Sequence, residues 1–200
     1  MERKMKSLSA LVVLNRLGQK RMRIFSPEEF RRLFGVTLWA AQEFIKDHHR
    51  DLFIKMRNGL YALRSDSPHE LEIANRLYGP SYISLEYALA YYRFIPETVY
   101  TVTSATTKIT REFTVQGKSY EYSRIKREAY TGYRLIKEGQ AKILMAVPEK
   151  ALVDYCYFID LRLKSLNDRL RVKKVNGKEA LRYAHLFNRE NLVKLVRGIL

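Results

Sequence analysis

Cysteine is almost absent from this chain, since Cys156 stands alone among 200 residues. A single cysteine excludes an internal disulfide and any metal site that needs several cysteine ligands. The residue lies in an apolar pattern of helical period, so we expect a small buried side chain rather than a reactive thiol.

Long apolar runs are also missing. No segment approaches the ~20 residues that a helix needs to cross a bilayer. The basic and apolar residues 1–14 continue into Asn15 and Arg16 without a small-residue cleavage site, which does not fit a signal peptide. We therefore expect a cytoplasmic protein with no membrane partner.

The sequence contains no glycine-rich phosphate loop, no Gly-x-Ser-x-Gly elbow and no His-Glu-x-x-His pair. His48 and His49 are adjacent and would point about 100° apart on a helix, while His69 and His185 stand alone. We therefore expect a protein that is not an enzyme and uses no cofactor or metal. A nucleic-acid-processing enzyme stays open as the less favoured hypothesis, because nuclease carboxylates are dispersed along a sequence.

Positive charge is concentrated at the two ends of the chain. Residues 1–64 contain 14 Lys and Arg against 6 Asp and Glu, and residues 161–200 contain 11 against 3, so each end has a net charge of +8. Residues 65–160 contain 12 of each and are neutral. Segregated cations of this kind are typical of surfaces that bind a polyanion such as nucleic acid.

The first basic end predicts a compact domain over residues 1–66. Its first helix, residues 3–17, would bury one apolar side, which consists of Met5, Leu8, Leu11, Val12 and Leu14. Residues 23–25 are then expected to be short and extended.

A second helix is predicted to begin after Ser26. Pro27 suits the first helical position, and Glu29 completes a capping box with Ser26. This helix covers residues 27–34 and ends at Gly35, a residue that readily takes the left-handed conformation of a helix end.

Thr37 is expected to cap a third helix over residues 38–49. A strand over residues 52–56 follows, and Asn58-Gly59 then predicts a tight turn, because both residues tolerate positive φ. Residues 60–64 form the returning strand. This order of helices, turn and hairpin predicts a winged helix-turn-helix.

In that fold the third helix enters the major groove of DNA, and the hairpin wing lies along the phosphates. At 100° per residue, the inward face would consist of Leu38, Ala41, Ile45 and His48. The outward face would be mixed in charge and consist of Trp39, Ala40, Glu43, Lys46, Asp47 and Arg50, with Gln42 on the flank. We expect DNA contacts, at base edges from the start of the helix and at phosphates elsewhere, from Arg31, Arg32, Thr37, Trp39, Gln42, Lys46, Arg50, Lys55, Arg57 and Asn58.

Two alternatives stay open for this domain. In the first alternative, Trp39 packs against the second helix or the wing, and the charged side chains are ordinary solvated surface. In the second, the domain is a protein-interaction module without DNA binding, since small winged helices also dock on proteins.

Residues 67–200 predict a mixed α+β domain with antiparallel strands. We expect helices over residues 68–78, 84–93 and 148–160, and strands over residues 82–83, 99–104, 111–115, 119–124 and 141–146. Ser84 is expected to cap the second of these helices. Lys150 and Asp154 stand at i, i+4 and predict a surface or half-buried ion pair rather than an acid–base pair.

Residues 161–200 form a basic tail, with two helices expected over residues 178–186 and 188–200. Its cations could form a second basic surface, consisting of Lys164, Arg169, Arg171, Lys173, Lys174 and Lys178. We interpret this surface as a second DNA contact or a docking face for an acidic partner, with plain solvated surface as the alternative.

An ordered set of motifs resembles the AbiEi family of antitoxins and transcriptional regulators from type IV toxin–antitoxin systems. The motifs are Asn58–Leu63, Tyr82–Tyr92, Ile95-Pro96-Glu97, Tyr100–Ser104, the hairpin with Phe113, Gly117 and Tyr122, and Val147–Asp154. Together they span about residues 10–160, and their order is more specific than any one of them.

The resemblance implies two activities. An N-terminal winged helix would repress its own operon by binding repeated promoter sequences as double-stranded DNA. The C-terminal part would counteract a nucleotidyltransferase-like toxin without a stable complex between the two proteins. This chain has only 40 residues after residue 160, fewer than longer family members.

Overall fold

The computed structural model describes residues 8–200, and it divides into an N-terminal unit, Met1–His69, and a C-terminal unit, Glu70–Leu200. Both units combine helices with strands, which confirms the predicted α+β class. Among the described residues, no helix has the length and apolar character that a membrane crossing requires.

The described part of the N-terminal unit, residues 8–69, contains three helices and a three-stranded antiparallel sheet of order β1-β3-β2. Its elements are α1 (Ala10–Gln19), β1 (Ile24–Phe25), α2 (Pro27–Phe34), α3 (Leu38–Asp47), β2 (Phe53–Arg57) and β3 (Leu60–Leu63). The β2–β3 hairpin turns at Asn58-Gly59, as predicted, with Gly59 at a φ of +71°.

Aromatic rings form the centre of the N-terminal unit. The ring of Phe25 lies edge-on to Phe53, with centroids 5.1 Å apart, and 5.7 Å from Phe30. All three side chains are fully buried, together with Val13 and Leu17 from α1. Burial of such side chains is the main force that holds a small unit of this size together.

The predicted buried side of the first helix was wrong in part. Leu11 is 70% exposed and Val12 is 57% exposed, because the helix packs through Val13 and Leu17, which lie on the opposite flank at i, i+4 spacing. The helix begins only after Ser9, whose hydroxyl oxygen accepts a hydrogen bond from the Val12 amide. Met5 lies outside the described residues.

The C-terminal unit is built on a six-stranded sheet of order β6-β7-β5-β4-β9-β8. The strands are β4 (Ser81–Ile83), β5 (Val102–Thr106), β6 (Arg111–Val115), β7 (Lys118–Arg124), β8 (Tyr133–Glu138) and β9 (Ala141–Ala146). The helices are α4 (Glu70–Leu77), α5 (Leu85–Tyr91), α6 (Pro148–Asp160), α7 (Gly177–His185) and α8 (Glu190–Ile199).

The sheet corrects two expectations. It is mixed rather than antiparallel, because β4 pairs with β9 and β5 pairs with β7 in parallel. The sequence analysis also did not predict β8, an edge strand in which Arg134, Leu135 and Lys137 are exposed and the other three residues are half-buried. A strand without a buried face lacks the apolar alternation by which strands are recognised.

Helix α6 is the centre of this unit. Every residue from Lys150 to Phe158 is buried, since α5, α7 and α8 all pack against the helix. Residues 161–200 are therefore a folded part of the core, through side chains such as Phe187, Leu192 and Val196. The stretch from residue 161 to residue 176 contains no helix.

The ion pair predicted at the surface of α6 is fully buried instead. The Lys150 ammonium donates a hydrogen bond to Asp154 Oδ1. The hydroxyls of Tyr82 and Ser84 donate to Asp154 Oδ2 at 2.9 and 2.7 Å. Ser84 consequently makes no side-chain cap on α5, although it occupies the N-cap position as expected.

The surroundings of this cluster explain how two charges are kept in the core. The Lys150 ammonium lies 4.9 Å from the ring centroid of Phe187 and 5.7 Å from that of Tyr82, so aromatic faces replace part of its hydration. Burial lowers the pKa of Lys150 and raises the pKa of Tyr82. The Asp154 carboxylate is stabilised by hydrogen bonds from three side chains, those of Lys150, Tyr82 and Ser84.

We expect Lys150→Met to lower the free energy of unfolding by about 3–5 kcal/mol, because it leaves a buried carboxylate without its cation. The double variant Lys150→Met with Asp154→Leu should lose less than the sum of the two single variants. Urea unfolding measures all three. Lys178→Met, at an exposed lysine, is the control, and equal losses in Lys150→Met and Lys178→Met would contradict the expectation.

Candidate nucleic-acid interface

The sequence predicts both the start of α2 and the turn that joins α2 to α3. The Ser26 hydroxyl oxygen accepts from the Glu29 amide at 3.2 Å, and the Glu29 carboxylate accepts from the Ser26 amide at 2.7 Å, which confirms the capping box. Gly35 ends α2 at a φ of +67°. Thr37 then begins α3, with its hydroxyl oxygen accepting from the Ala40 amide at 3.2 Å.

The inward face of α3 is narrower than predicted. Ala41 and Ile45 are buried as expected, but Leu38 is 42% exposed. The helix ends at Asp47, so His48 lies at its C-cap and packs its ring 4.4 Å from that of Phe44. Leu38 therefore does not belong to the buried face, and His48 is half-buried at the end of that face.

The outward face of α3 brings together four of the predicted site residues. Trp39 is 68% exposed, which rules out the alternative that it packs against α2 or the hairpin. Thr37, Gln42 and Lys46 are exposed beside it. The Lys46 ammonium lies 3.5 Å from the Glu43 carboxylate in an exposed ion pair.

Arg31 and Arg32 share one carboxylate on α2. Glu28 accepts two hydrogen bonds from Arg31, at 2.7 and 2.9 Å, and one from Arg32 at 3.3 Å. The hydrogen bond from Arg31 holds the pKa of Glu28 below its ordinary value. The i, i+3 and i, i+4 spacings of these residues were a readable signal for this pairing.

The remaining predicted contacts lie on and beside the hairpin. Lys55 and Asn58 are exposed, and Arg57 donates from Nη1 to the Asn58 carbonyl at 2.8 Å across the turn. Arg50 is exposed but lies beyond the end of α3, in the turn that leads to β2. Its expected position on the outward helix face was therefore wrong.

The second basic surface is only partly available for a partner. Lys164 pairs with Glu86, and Arg169 pairs with Glu97, each at 2.5 Å. Arg171 donates from Nη1 to the carbonyls of Asp168 and Leu170. The four cations that remain exposed outside such acidic pairs are Arg171, Lys173, Lys174 and Lys178.

Metal-binding side chains do not form a cluster in the part of the chain that the structure describes. Within residues 8–200, no group of three or more His, Cys, Asp or Glu side chains is placed to hold a metal ion. Cys156 is buried in α6, as predicted, and burial raises the pKa of its thiol to about 12. The thiol therefore stays protonated near neutral pH, and little of the reactive thiolate forms.

No protein-family model matches this chain, and no curated protein matches it either. The resemblance to AbiEi antitoxins therefore stays a prediction, carried by the sequence motifs alone.

Two glycines test whether the turn before α3 depends on its left-handed backbone. We expect Gly35→Ala to destabilise the protein by about 1–2 kcal/mol, because a Cβ at positive φ is strained even though nothing lies within 4 Å of it. Gly18→Ala, near the end of α1 and equally open, should stabilise by about 0.5–1 kcal/mol. Thermal unfolding compares them, and changes of the same sign would contradict this account.

Proposed function

We propose that the N-terminal unit is a winged helix-turn-helix that binds duplex DNA, with α3 in the major groove and the β2–β3 hairpin as the wing. The observation that supports this best is the spacing of Trp39, Gln42 and Lys46, which recur at i, i+3 and i+7 and are all exposed. Ala41 and Ile45 hold the opposite side of the helix in the core. The helix can therefore enter a groove without losing its packing.

The outward side chains differ in what they can recognise. The Gln42 amide has the donor and acceptor that pair with an adenine edge, and Trp39 offers an apolar surface to a thymine methyl group. Lys46, Lys55 and Arg57 supply positive charge for phosphates, which fixes the position of the protein on the duplex. Base reading and phosphate binding thus fall to different residues.

Arg31 and Arg32 can add phosphate contacts by exchanging partners. An exposed ion pair such as theirs with Glu28 is weak and is screened by salt. Phosphate groups can consequently take the place of the carboxylate once DNA is close. This exchange needs no movement of α2, since the side chains already lie on its exposed side.

Binding to the protein's own promoter tests the proposal. We expect Lys55→Ala to make the plot of log affinity against log salt shallower by about 0.9, the effect of one lost phosphate contact. Gln42→Ala should weaken binding to the promoter by about 1–3 kcal/mol and leave binding to a scrambled duplex unchanged. Fluorescence anisotropy over a salt series measures both.

Lys142→Ala removes an exposed lysine on β9 of the C-terminal unit and is the matched control. Its salt dependence should equal that of the unchanged protein. Absence of promoter binding even at low salt would overturn the repressor function.

We further propose that the protein is the antitoxin of a type IV toxin–antitoxin system and represses its own operon. The support is the order of the AbiEi-like motifs, from Asn58–Leu63 through to Val147–Asp154. In this proposal the C-terminal unit opposes a nucleotidyltransferase-like toxin without forming a stable complex with it, and the protein itself is not an enzyme.

Co-expression with the neighbouring gene product tests the antitoxin function. We expect the full chain to restore growth, and the Gln42→Ala variant to restore it equally, because repression and toxin opposition lie in different units. Growth curves with repression bypassed by an external promoter measure this. Failure of the folded protein to restore growth would remove the antitoxin function and leave the repressor function standing.

A second candidate is a protein-docking module, and one observation favours it. Leu38 and Trp39 are adjacent, exposed and largely apolar at the start of α3, and exposed apolar pairs often mark protein contacts. If this is the function, Trp39→Ala will abolish capture of the partner, and the promoter duplex will not bind the unchanged protein even at low salt. The promoter titration therefore separates the two candidates.

A further inference from the structure

A groove of about 670 Å³ opens in the C-terminal unit, and its lining includes Arg169, Arg171 and Lys173 of the second basic surface. One wall follows the end of α5 and the segment after it, from Tyr87 to Val99, and the other is formed around Arg171. The Arg171 amide donates to the Phe94 carbonyl at 2.8 Å, and this hydrogen bond joins the two walls. The groove is thus a defined feature of the fold.

An aromatic ring is held in place on the first wall. Tyr91 is 43% exposed, yet its hydroxyl donates to the Glu138 carboxylate at 2.7 Å. Its ring also meets Tyr92 edge-on, with centroids 5.2 Å apart. A ring that is both exposed and fixed offers a stacking surface with little loss of conformational entropy on binding.

Cations line the same groove as this ring. Among the described residues, Arg93, Arg171 and Lys173 have no carboxylate within ion-pair distance, and all three line the groove and are exposed. The one carboxylate in the lining, Glu97, is already engaged by Arg169 at 2.5 Å. The groove therefore keeps unpaired positive charge for an anionic ligand.

We propose that this groove binds an unstacked nucleotide, with its base against Tyr91 and its phosphates against Arg93, Arg171 and Lys173. A plain anion would not need the aromatic wall, and an apolar ligand would not need the cations. A ring for the base beside cations for the backbone is how proteins hold single-stranded nucleic acid. The volume lies within the range of about 300–1,000 Å³ that small-molecule sites occupy.

Duplex DNA does not present this chemistry, because its bases are stacked and paired inside the helix. The ligand is therefore either a free nucleotide or an unpaired residue of a single strand. Both share a base face and a phosphate, and the experiment separates them. The inference stands independently of the DNA-binding surface proposed for the N-terminal unit.

The chain supplies a matched pair of arginines for the test. Arg93 follows α5 at a φ of +59°, and Arg162 follows α6 at a φ of +60°. Each donates its amide to the carbonyl three residues earlier, and the next residue donates to the carbonyl five residues earlier. Both are exposed, but only Arg93 lines the groove.

Arg93→Gly and Arg162→Gly each remove one positive charge at a backbone position that glycine prefers. Both variants of the full chain should consequently fold at least as stably as the unchanged protein. We expect Arg93→Gly to weaken binding of ATP, or of a fluorescent 12-nucleotide single-stranded RNA, by roughly tenfold, the effect of one lost charged hydrogen bond. Arg162→Gly should change either affinity less than about twofold, measured by anisotropy and calorimetry.

Competition assigns the source of the nucleotide. Displacement of the RNA by ATP would support a site that accepts free nucleotides, and binding of the RNA alone would support a site for an unpaired strand. Tyr91→Ala should weaken binding of the probe, and Tyr91→Phe should weaken it less, because the ring and its stacking face remain even though the hydrogen bond to Glu138 is lost. The promoter duplex should bind Arg93→Gly as tightly as it binds Arg162→Gly.

Three results would overturn the proposal. In the first, neither ATP nor the RNA binds. In the second, the two arginine variants weaken binding equally, which would assign the effect to general charge. In the third, Arg93→Gly weakens binding of the duplex as much as binding of the RNA, which would make the groove part of a duplex contact. A failure of promoter binding alone would affect the repressor function and leave this proposal intact.

Discussion

The C-terminal unit depends on one buried carboxylate. Asp154 accepts hydrogen bonds from Lys150 on its own helix and from Tyr82 and Ser84, which lie 72 and 70 residues earlier in the chain. These bonds join α6 to the end of β4 and the start of α5. Because a buried ion needs all its partners, the position of α5, and with it the wall of the groove at Tyr91 and Arg93, follows from this cluster.

The N-terminal unit depends on local constraints instead. The capping box at Ser26, the left-handed Gly35 and the Thr37 cap direct the chain from α2 into α3. An aromatic core around Phe25 then anchors both helices to the hairpin. The outward face of α3 is left to polar and aromatic side chains, so its chemistry can change without cost to the fold. Recognition and stability are therefore carried by different residues.

The sequence predicted most accurately those elements and turns that are determined by residues close together in the chain. The bounds of α2, β6, β9 and α6, and the turn at Asn58-Gly59, were correct because caps, turn residues and alternation act over a few positions. The predictions were wrong or missing where contacts between segments far apart in the chain determine the structure. The burial of Lys150 needs Tyr82, the parallel pairing of β4 with β9 joins segments far apart, and β8 carries no apolar alternation. Among the candidate site residues, Arg50 was misplaced because α3 ends two residues earlier than expected.

The long separation between Asp154 and its partners has a consequence for a chain emerging from the ribosome. The N-terminal unit is complete once His69 has been synthesised. The strands before α6 must wait, since β4 lacks its parallel neighbour β9, and Tyr82 and Ser84 lack their acceptor Asp154, until residues 141–154 have been synthesised. Domains generally fold as they are made, and distant pairings come last. The nascent protein thus acquires its N-terminal unit well before the unit that closes around Lys150.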